Sequence, residues 1–450
     1  MQKVTLWTTL LSLVFTACQP AYIGKDEIRE RLQTEHLFLQ CVDNLTDIQV
    51  HDIFSPPVSS RVFVYPGVAA YEAMVPAYPS FKSFAGRLNG LSPLLAHADT
   101  TLVSFELAAI YAYNEVGRTL IFSEEKMEAW QERIDSIVGT WQVDPAVLRA
   151  TKDYAQQVHR HIMTWSKSDN YAQTRSMPKF SVTEDPARWK PTPPAYMEGI
   201  EPSWNKMRTM VLDSAAQFKP APPPPFDMTE GAPFYNLVKE VYDVGNALNK
   251  EQRTIASFWD CNPFVMNQTG HVMFASKKIT PGGHWMGITG IATKKAGMDM
   301  IATVHTHAMV SIGLFDAFIS CWDEKYRSSL VRPETVINEY MDPDWLPALQ
   351  TPPFPEHTSG HSVISTASAV ILTRILGDNF AFNDTVEVPY GLPERSFNSF
   401  LEASAEAAIS RMYGGIHYRP AIEDGVSQGR AVGERVAQQL LGDTGGVSMR

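Results

Sequence analysis

Residues 301–322 read IATVHTHAMVSIGLFDAFISCW and run on into DEKYRSSLVRP at 323–333. The first part is the most apolar stretch beyond the N-terminus, yet it carries His305, His307 and Asp316. Such groups are costly in a bilayer, so the pattern predicts a helix buried inside protein. Helical patterning continues on both sides of it. On the N-terminal side it covers residues 101–120, a helix begun by Ser123 with Glu124 and Glu125 in its first turn, and one begun by Asp144-Pro145 and running to about 165. On the C-terminal side it covers about 233–260, 286–296, 298–331, 359–376, 397–412 and 422–441. Residues 170–203 and 218–232 are irregular and include the run Pro222 to Pro225. Strand signals are sparse, although 49–71 has room for extended segments. The expected fold is all-α, a large helical bundle wrapped by long Pro-rich loops.

Composition narrows the function classes. The chain has 450 residues, 44% hydrophobic and 19% charged, so it can bury a large core. Its net charge of -11 gives no basic surface for nucleic acid, so any anion site must be a local basic pocket. Four cysteines without a CxxC pair exclude a disulfide scaffold, an iron–sulfur protein and a zinc ribbon.

The first residues look like an export signal. Lys3 precedes an apolar stretch, residues 4–17, too short to span a bilayer. It ends in Phe15-Thr16-Ala17-Cys18, which resembles a bacterial lipobox. Residues 1–17 are therefore expected to be cleaved and Cys18 to carry lipid, placing the protein in the periplasm or at the outer membrane or cell surface. A plain cleaved signal is the other reading. The remainder, 18–450, reads as one helical domain with its active half at about 255–450.

Three basic segments follow in order. In the first, Lys325 and Arg332 are seven residues apart, near two helical turns, and so are expected on one face with Trp322. Pro333 turns Arg332 out of helix. The second is Phe354-Pro-Glu-His357-Thr-Ser359-Gly360-His361, ahead of an apolar run. A helix starting at Ser359 offers free N–H groups to an oxyanion, and His361 stands in its first turn as a proton donor. The third is Ser410-Arg411-Met-Tyr-Gly414-Gly415-Ile-His417, a helix end with His417 turned back. Taken singly these are a solvated face, a Ser cap and a Gly stop. Together they supply Lys, two Arg, Ser, an N–H cluster and two His. That set suits an oxyanion held by cations and bonded to a His nitrogen.

Lys325-x6-Arg332-Pro333, Ser359-Gly360-His361 and Ser410-Arg411-x5-His417 resemble the three-part signature of vanadium-dependent haloperoxidases and type-2 phosphatidic acid phosphatases. Trp322, Phe354, Trp259-Asp260 and Thr280-Pro-Gly-Gly-His284-Trp285 resemble the bacterial haloperoxidases, of iodo- or bromoperoxidase type. The resemblance implies two four-helix-bundle-like cores. It also implies vanadate held by Lys325, Arg332, Ser359, Gly360 and Arg411, with His417 Nε2 on vanadium. His361 would handle the proton, and Lys325 would polarise hydrogen peroxide so that a halide becomes hypohalous acid. Trp322, Phe354 and His357 would shape the halide pocket, with a surface loop as the other place for His357. Asp260 would pair with an Arg or with His361. Thr358 replaces the usual Pro, and Ala421 stands where an Asp often orients the His. That weakens a phosphatase reading unless Asp424 or a carbonyl substitutes. Phosphate would substitute for vanadate in an inactive form. The alternatives are a soluble histidine acid phosphatase, and a lipid-anchored protein that only binds an oxyanion. His305 and His307, two apart, are expected in the core, and His284 is a candidate pocket wall.

Overall fold

The structure is a computed structural model and describes residues 22–95, 100–269, 272–275 and 277–441. Cys18 and the segment before it lie outside the described residues. Eight helices build the body: α1 (Pro56–Met74), α2 (Phe105–Leu120), α3 (Pro145–Ser166), α4 (Pro281–Lys295), α5 (Met300–Ser328), α6 (Gly360–Leu376), α7 (Phe400–Tyr413) and α8 (Arg419–Leu441). Strand is confined, among the described residues, to two short antiparallel hairpins, 266–269 with 272–275 and 382–384 with 395–397.

The apolar stretch 301–322 lies within α5, which is buried continuously from Met300 to Lys325. A helix apolar all round needs cover on every side, and α5 has it: α1 packs on one flank, and α4, α6 and α8 on the others. Its length and hydropathy would let it cross a membrane, but the rest of the chain encloses it. Asp299 caps its start, accepting from the Ala302 N–H at 2.9 Å. One bundle forms from α1, α2 and α3 against α5. The other forms from α6, α7 and α8 against the same helix.

A glycine row lets α8 approach α6 closely. A Cβ on Gly425 would lie 3.0 Å from Ser359 O, one on Gly429 2.3 Å from Val363 O, and one on Gly433 2.7 Å from Ala367 O. The close approach fixes the N-terminus of α6, where Ser359 N–H also donates to Ala421 O at 2.9 Å. The Pro-rich loops are pinned from inside. The Asp316 carboxylate of α5 accepts N–H bonds from Met210, Val211 and Leu212 at 2.6, 2.7 and 3.0 Å. This satisfies backbone donors that burial would otherwise strand.

Two expectations change. Residues 56–74, overlapping most of the stretch 49–71 given room for strands, form α1, and all 19 of its residues are buried. A helix buried on every side has no amphipathic stripe, and its β-branched residues imitate a strand. The expected helix over 233–260 is two, Pro233–Asn246 and Lys250–Phe258. Asn249 and Gln252 restart the chain with a reciprocal capping box, at 2.9 and 3.0 Å.

Candidate active site

The three basic segments meet at the start of α6. Lys325, in the last turn of α5, donates from Nζ to Pro355 O, Glu356 O and Thr358 O at 3.0, 3.1 and 2.6 Å. Arg332 does not share its helical face. The helix stops at Ser328, where Ser329 turns left-handed (φ 47°), and Arg332 arrives in extended backbone ahead of the helix Pro333–Tyr340. Its Nε donates to Phe354 O at 2.9 Å and its Nη1 to Ile416 O at 2.7 Å. Arg411, in the last turn of α7, donates to Ser410 Oγ at 3.0 Å and to Trp259 O at 2.6 Å. Gly415 (φ 75°) then reverses the chain and delivers His417.

All three cations are at most 1% exposed. Among the described residues, their hydrogen bonds go only to uncharged acceptors. Burial of unpaired charge is costly, and it pushes Lys325 down to about 7, Arg332 down to about 10 and Arg411 also down. Arg332 Nη2 and His361 Nε2 are buried without hydrogen-bond partners among the described residues. The pocket thus holds buried positive charge and an unsatisfied Arg332 donor, the condition for an anion.

His417 is prepared as a ligand. Its Nδ1 lies 2.9 Å from Glu356 Oε1, the same oxygen that accepts the Tyr418 N–H at 2.8 Å. An oxygen that already accepts from a backbone N–H accepts from Nδ1–H as well, so the lone pair sits on Nε2. Nε2 faces Arg332 Nη1 at 3.2 Å. Burial, with Arg332, Lys325 and Arg411 around it, holds the imidazole well below its ordinary range and therefore neutral. The sequence points to Asp424 or a carbonyl near Ala421 as the orienting group and gives no spacing that marks Glu356 for that role. The signal available was an acid between Pro355 and His357 in a Pro- and aromatic-rich segment.

Ser359 caps α6, its Oγ accepting from Ser362 N–H at 3.3 Å and Ser362 Oγ lying at 2.9 Å. Gly360 keeps the helix start open: a Cβ there would stand 3.9 Å from the Trp322 ring. A cavity rises from this floor, with Gly360, His361, Arg411 and His417 at its base and Trp322 and Phe354 in its wall. The two rings lie 5.0 Å apart, and Lys325 Nζ is 5.1 Å from the Phe354 centroid. His361 is partly exposed to the cavity, and burial together with Arg411 holds it well below its ordinary range.

Two expected site residues sit differently. Asp260 lines the cavity, but its carboxylate pairs with Lys278 rather than with an Arg or His361. His357 neither lines the cavity nor lies on a surface loop. Its ring is fully buried and turned toward Asp424, 3.6 Å away, and it is His361, in the first turn of α6, that faces the pocket. His305 packs against Tyr71, and His307 Nδ1 bonds Thr303 O at 2.9 Å, both in the core as expected.

A tetrahedral oxyanion fits this donor set. Arg332 Nη2, without a hydrogen-bond partner among the described residues, the three buried cations and the N-terminus of α6 are what vanadate would require.

Residues 305–442 match the family model of the VCPO second helical-bundle domain. No curated protein matches the chain. A crystal structure described as the first bacterial vanadium-dependent iodoperoxidase is 52% identical, covering 94% of this chain and 98% of that one, with a TM-score of 0.85. Apo and holo bacterial vanadium-dependent chloroperoxidases share the fold, at 14% and 15% identity. They cover 86% and 87% of this chain and 94% and 93% of theirs, with TM-scores of 0.63 and 0.64. By the identity and coverage of the first of these, with the oxyanion pocket already in place, the chain belongs to the vanadium-dependent haloperoxidase family.

Proposed function

We propose that the protein oxidises iodide with hydrogen peroxide, yielding hypoiodous acid, with vanadate held by Lys325, Arg332, Ser359, Gly360, Arg411 and His417. The observation that carries this is the neutral His417 Nε2, fixed by Glu356 and surrounded by three buried cations without carboxylate partners. Bound vanadate supplies a redox-neutral Lewis acid that activates peroxide toward halide attack. The residues supply the rest. Lys325, Arg332 and Arg411 balance oxyanion charge in a dry pocket, where electrostatic stabilisation is strong. His361, partly exposed at the cavity floor and without a partner on Nε2, takes the proton of incoming peroxide and returns one to the leaving oxygen. Trp322 and Phe354 offer a polarisable, water-poor wall for a large anion. Iodide is the easiest halide to oxidise, and the 52%-identical relative is described as an iodoperoxidase. The test is turnover of iodide, bromide and chloride with peroxide, before and after vanadate is added. Absence of vanadate-dependent iodide oxidation would overturn the assignment.

Glu356 also supports a second activity. A His that attacks phosphorus needs an orienting acceptor, and Glu356 is one. The vanadium-free protein is proposed to hold phosphate and to hydrolyse activated phosphoesters through His417.

The lipobox-like Phe15-Thr16-Ala17-Cys18 supports an exported, lipid-anchored protein. Cys18→Ser is expected to release it from membranes or to block signal processing. Full membrane partition of the variant would place the anchor elsewhere.

A further inference from the structure

Beside the oxyanion pocket lies a second cluster, which shares Cys261 with the cavity lining and which the oxyanion chemistry does not use. Cys261, His284 and Glu387 come from three distant segments: the turn after the helix Lys250–Phe258, the first turn of α4, and the loop after the strand Phe382–Asp384. All are buried, His284 completely. Cys261 Sγ lies 3.4 Å from His284 Nδ1 and 3.7 Å from Glu387 Oε1, and His284 Nδ1 lies 3.2 Å from Glu387 Oε1. With Zn–S near 2.3 Å and Zn–N and Zn–O near 2.0 Å, the tetrahedral edges S–N, N–O and S–O are about 3.5, 3.3 and 3.5 Å. The three atoms therefore stand at the corners a zinc ion would impose.

The surroundings complete the arrangement. The other imidazole nitrogen, His284 Nε2, is 2.8 Å from Asp384 Oδ2, and the Val386 N–H holds Asp384 Oδ1 at 3.0 Å. A carboxylate on Nε2–H leaves the Nδ1 lone pair pointing at Cys261 and Glu387, the usual way a protein orients a metal-bound His.

We propose that Cys261, His284 and Glu387 bind a zinc ion, oriented by Asp384. A thiolate, a neutral imidazole and one carboxylate balance the dication, the thiol proton leaving on binding. Sulfur with nitrogen favours zinc over magnesium or calcium. The ion staples the cavity wall. The His284 ring stacks on Trp259 with centroids 4.7 Å apart, and the Trp259 carbonyl receives Arg411.

The competing arrangement is a protonated His284 bridging Asp384 and Glu387 with no metal, and elemental analysis separates the two. Protein produced with added Zn2+, loaded with vanadate and gel-filtered is expected to carry about one zinc per chain, with one sulfur among its zinc-edge neighbours. Co2+ in its place is expected to give a sulfur-to-metal charge-transfer band that Cys261→Ser abolishes. Cys261→Ser and Asp384→Asn, both near-isosteric, are expected to stay folded by circular dichroism and to lose zinc affinity about 10–100-fold. Folded, vanadium-loaded wild-type protein that takes up neither Zn2+ nor Co2+ would overturn the proposal. So would zinc retained undiminished in both variants. Neither readout depends on halide turnover.

Discussion

Glu356 and His417 are joined by a hydrogen bond of 2.9 Å, and the bond fixes which imidazole nitrogen faces the oxyanion pocket. Because Glu356 Oε1 also accepts from the Tyr418 N–H, it remains an acceptor whether or not the acid is protonated on Oε2, which has no partner among the described residues. The tautomer is thus set by backbone geometry as well as by charge.

Glu356→Leu should therefore weaken vanadate binding about 10–100-fold, as loss of an outer partner of a metal-bound His does. Glu356→Gln keeps the acceptor oxygen and should recover much of it. The measurement is vanadate dissociation by titration, alongside kcat and KM for iodide. A positioning role lowers vanadate affinity first. Unchanged affinity in the Leu variant would remove Glu356 from the site.

The three cations act on one anion, so their losses should not add. His417→Ala should abolish halide oxidation. Lys325→Ala and Arg411→Ala should each lower turnover about 10²–10³-fold, the size seen when a preorganised electrostatic donor is removed. The double variant should be little worse than either single. Steady-state kinetics at saturating vanadate tests this. Multiplying losses would show two independent sites.

The pH dependence of anion binding has a definite sign. Burial pushes Lys325 down to about 7 and Glu356 up to about 7. Below pH 7 Lys325 is cationic and Glu356 neutral. Above it Lys325 is neutral and Glu356 anionic. Both changes make the pocket less positive, so anion binding takes up protons and affinity falls as pH rises through 7. The limit is about tenfold per pH unit for each proton taken up, by linkage. Tungstate, tetrahedral and not itself titrating from pH 6 to 9, is the suitable probe. The fall should be shallower in Lys325→Met. A flat profile in the wild type would show that neither group changes charge there.

Much of this site was legible because its residues lie in short local motifs. Ser359 ahead of an apolar run and Arg411 before Gly414-Gly415 are helix-end signals, and the structure places them as such. Arg332 was legible as a cation near Lys325 but not in its backbone state, because the αL turn at Ser329 has no glycine to mark it. Glu356 was hidden because its partner is 61 residues away, and pairing over that distance leaves no spacing rule. The helix α1 was hidden for the opposite reason, burial on every side having erased its periodicity.

Glycine tolerance gives a test of the α6–α8 contact. A methyl on Gly429 would lie 2.3 Å from the Val363 carbonyl, a backbone atom that cannot swing aside. A methyl on Gly313 would lie equally close to Ile371 Cδ1, the end of a mobile side chain. Gly429→Ala should cost about 1–3 kcal/mol or more through overpacking, lowering Tm by about 1 °C for each kcal/mol. It should also loosen vanadate, because α6 carries Ser359 and Gly360. Gly313→Ala should cost less, because the Ile371 side chain can give way; the helix-propensity gain of roughly 1 kcal/mol applies to both positions. Equal Tm values would show that α8 slides to accommodate the methyl.

Phosphate should compete with vanadate for the same pocket. Lys325, Arg332, Arg411 and the α6 N–H groups recognise oxygen and charge, which the two anions share, and only His417 Nε2 favours vanadium. Reconstitution curves of peroxidase activity against vanadate should shift in parallel as phosphate rises. The vanadium-free protein should also cleave an activated aryl phosphate. The absent Asp at Ala421 argues for slow hydrolysis, but Glu356 on His417 Nδ1 supplies the missing orienting acid. Turnover should therefore be clearly measurable in the wild type, fall in Glu356→Leu and vanish in His417→Ala. Vanadate should inhibit it at the concentrations that restore peroxidase activity. Curves that do not move with phosphate would mean that the three basic segments do not form one oxyanion pocket. Phosphatase activity that survives His417→Ala would place the hydrolytic nucleophile elsewhere.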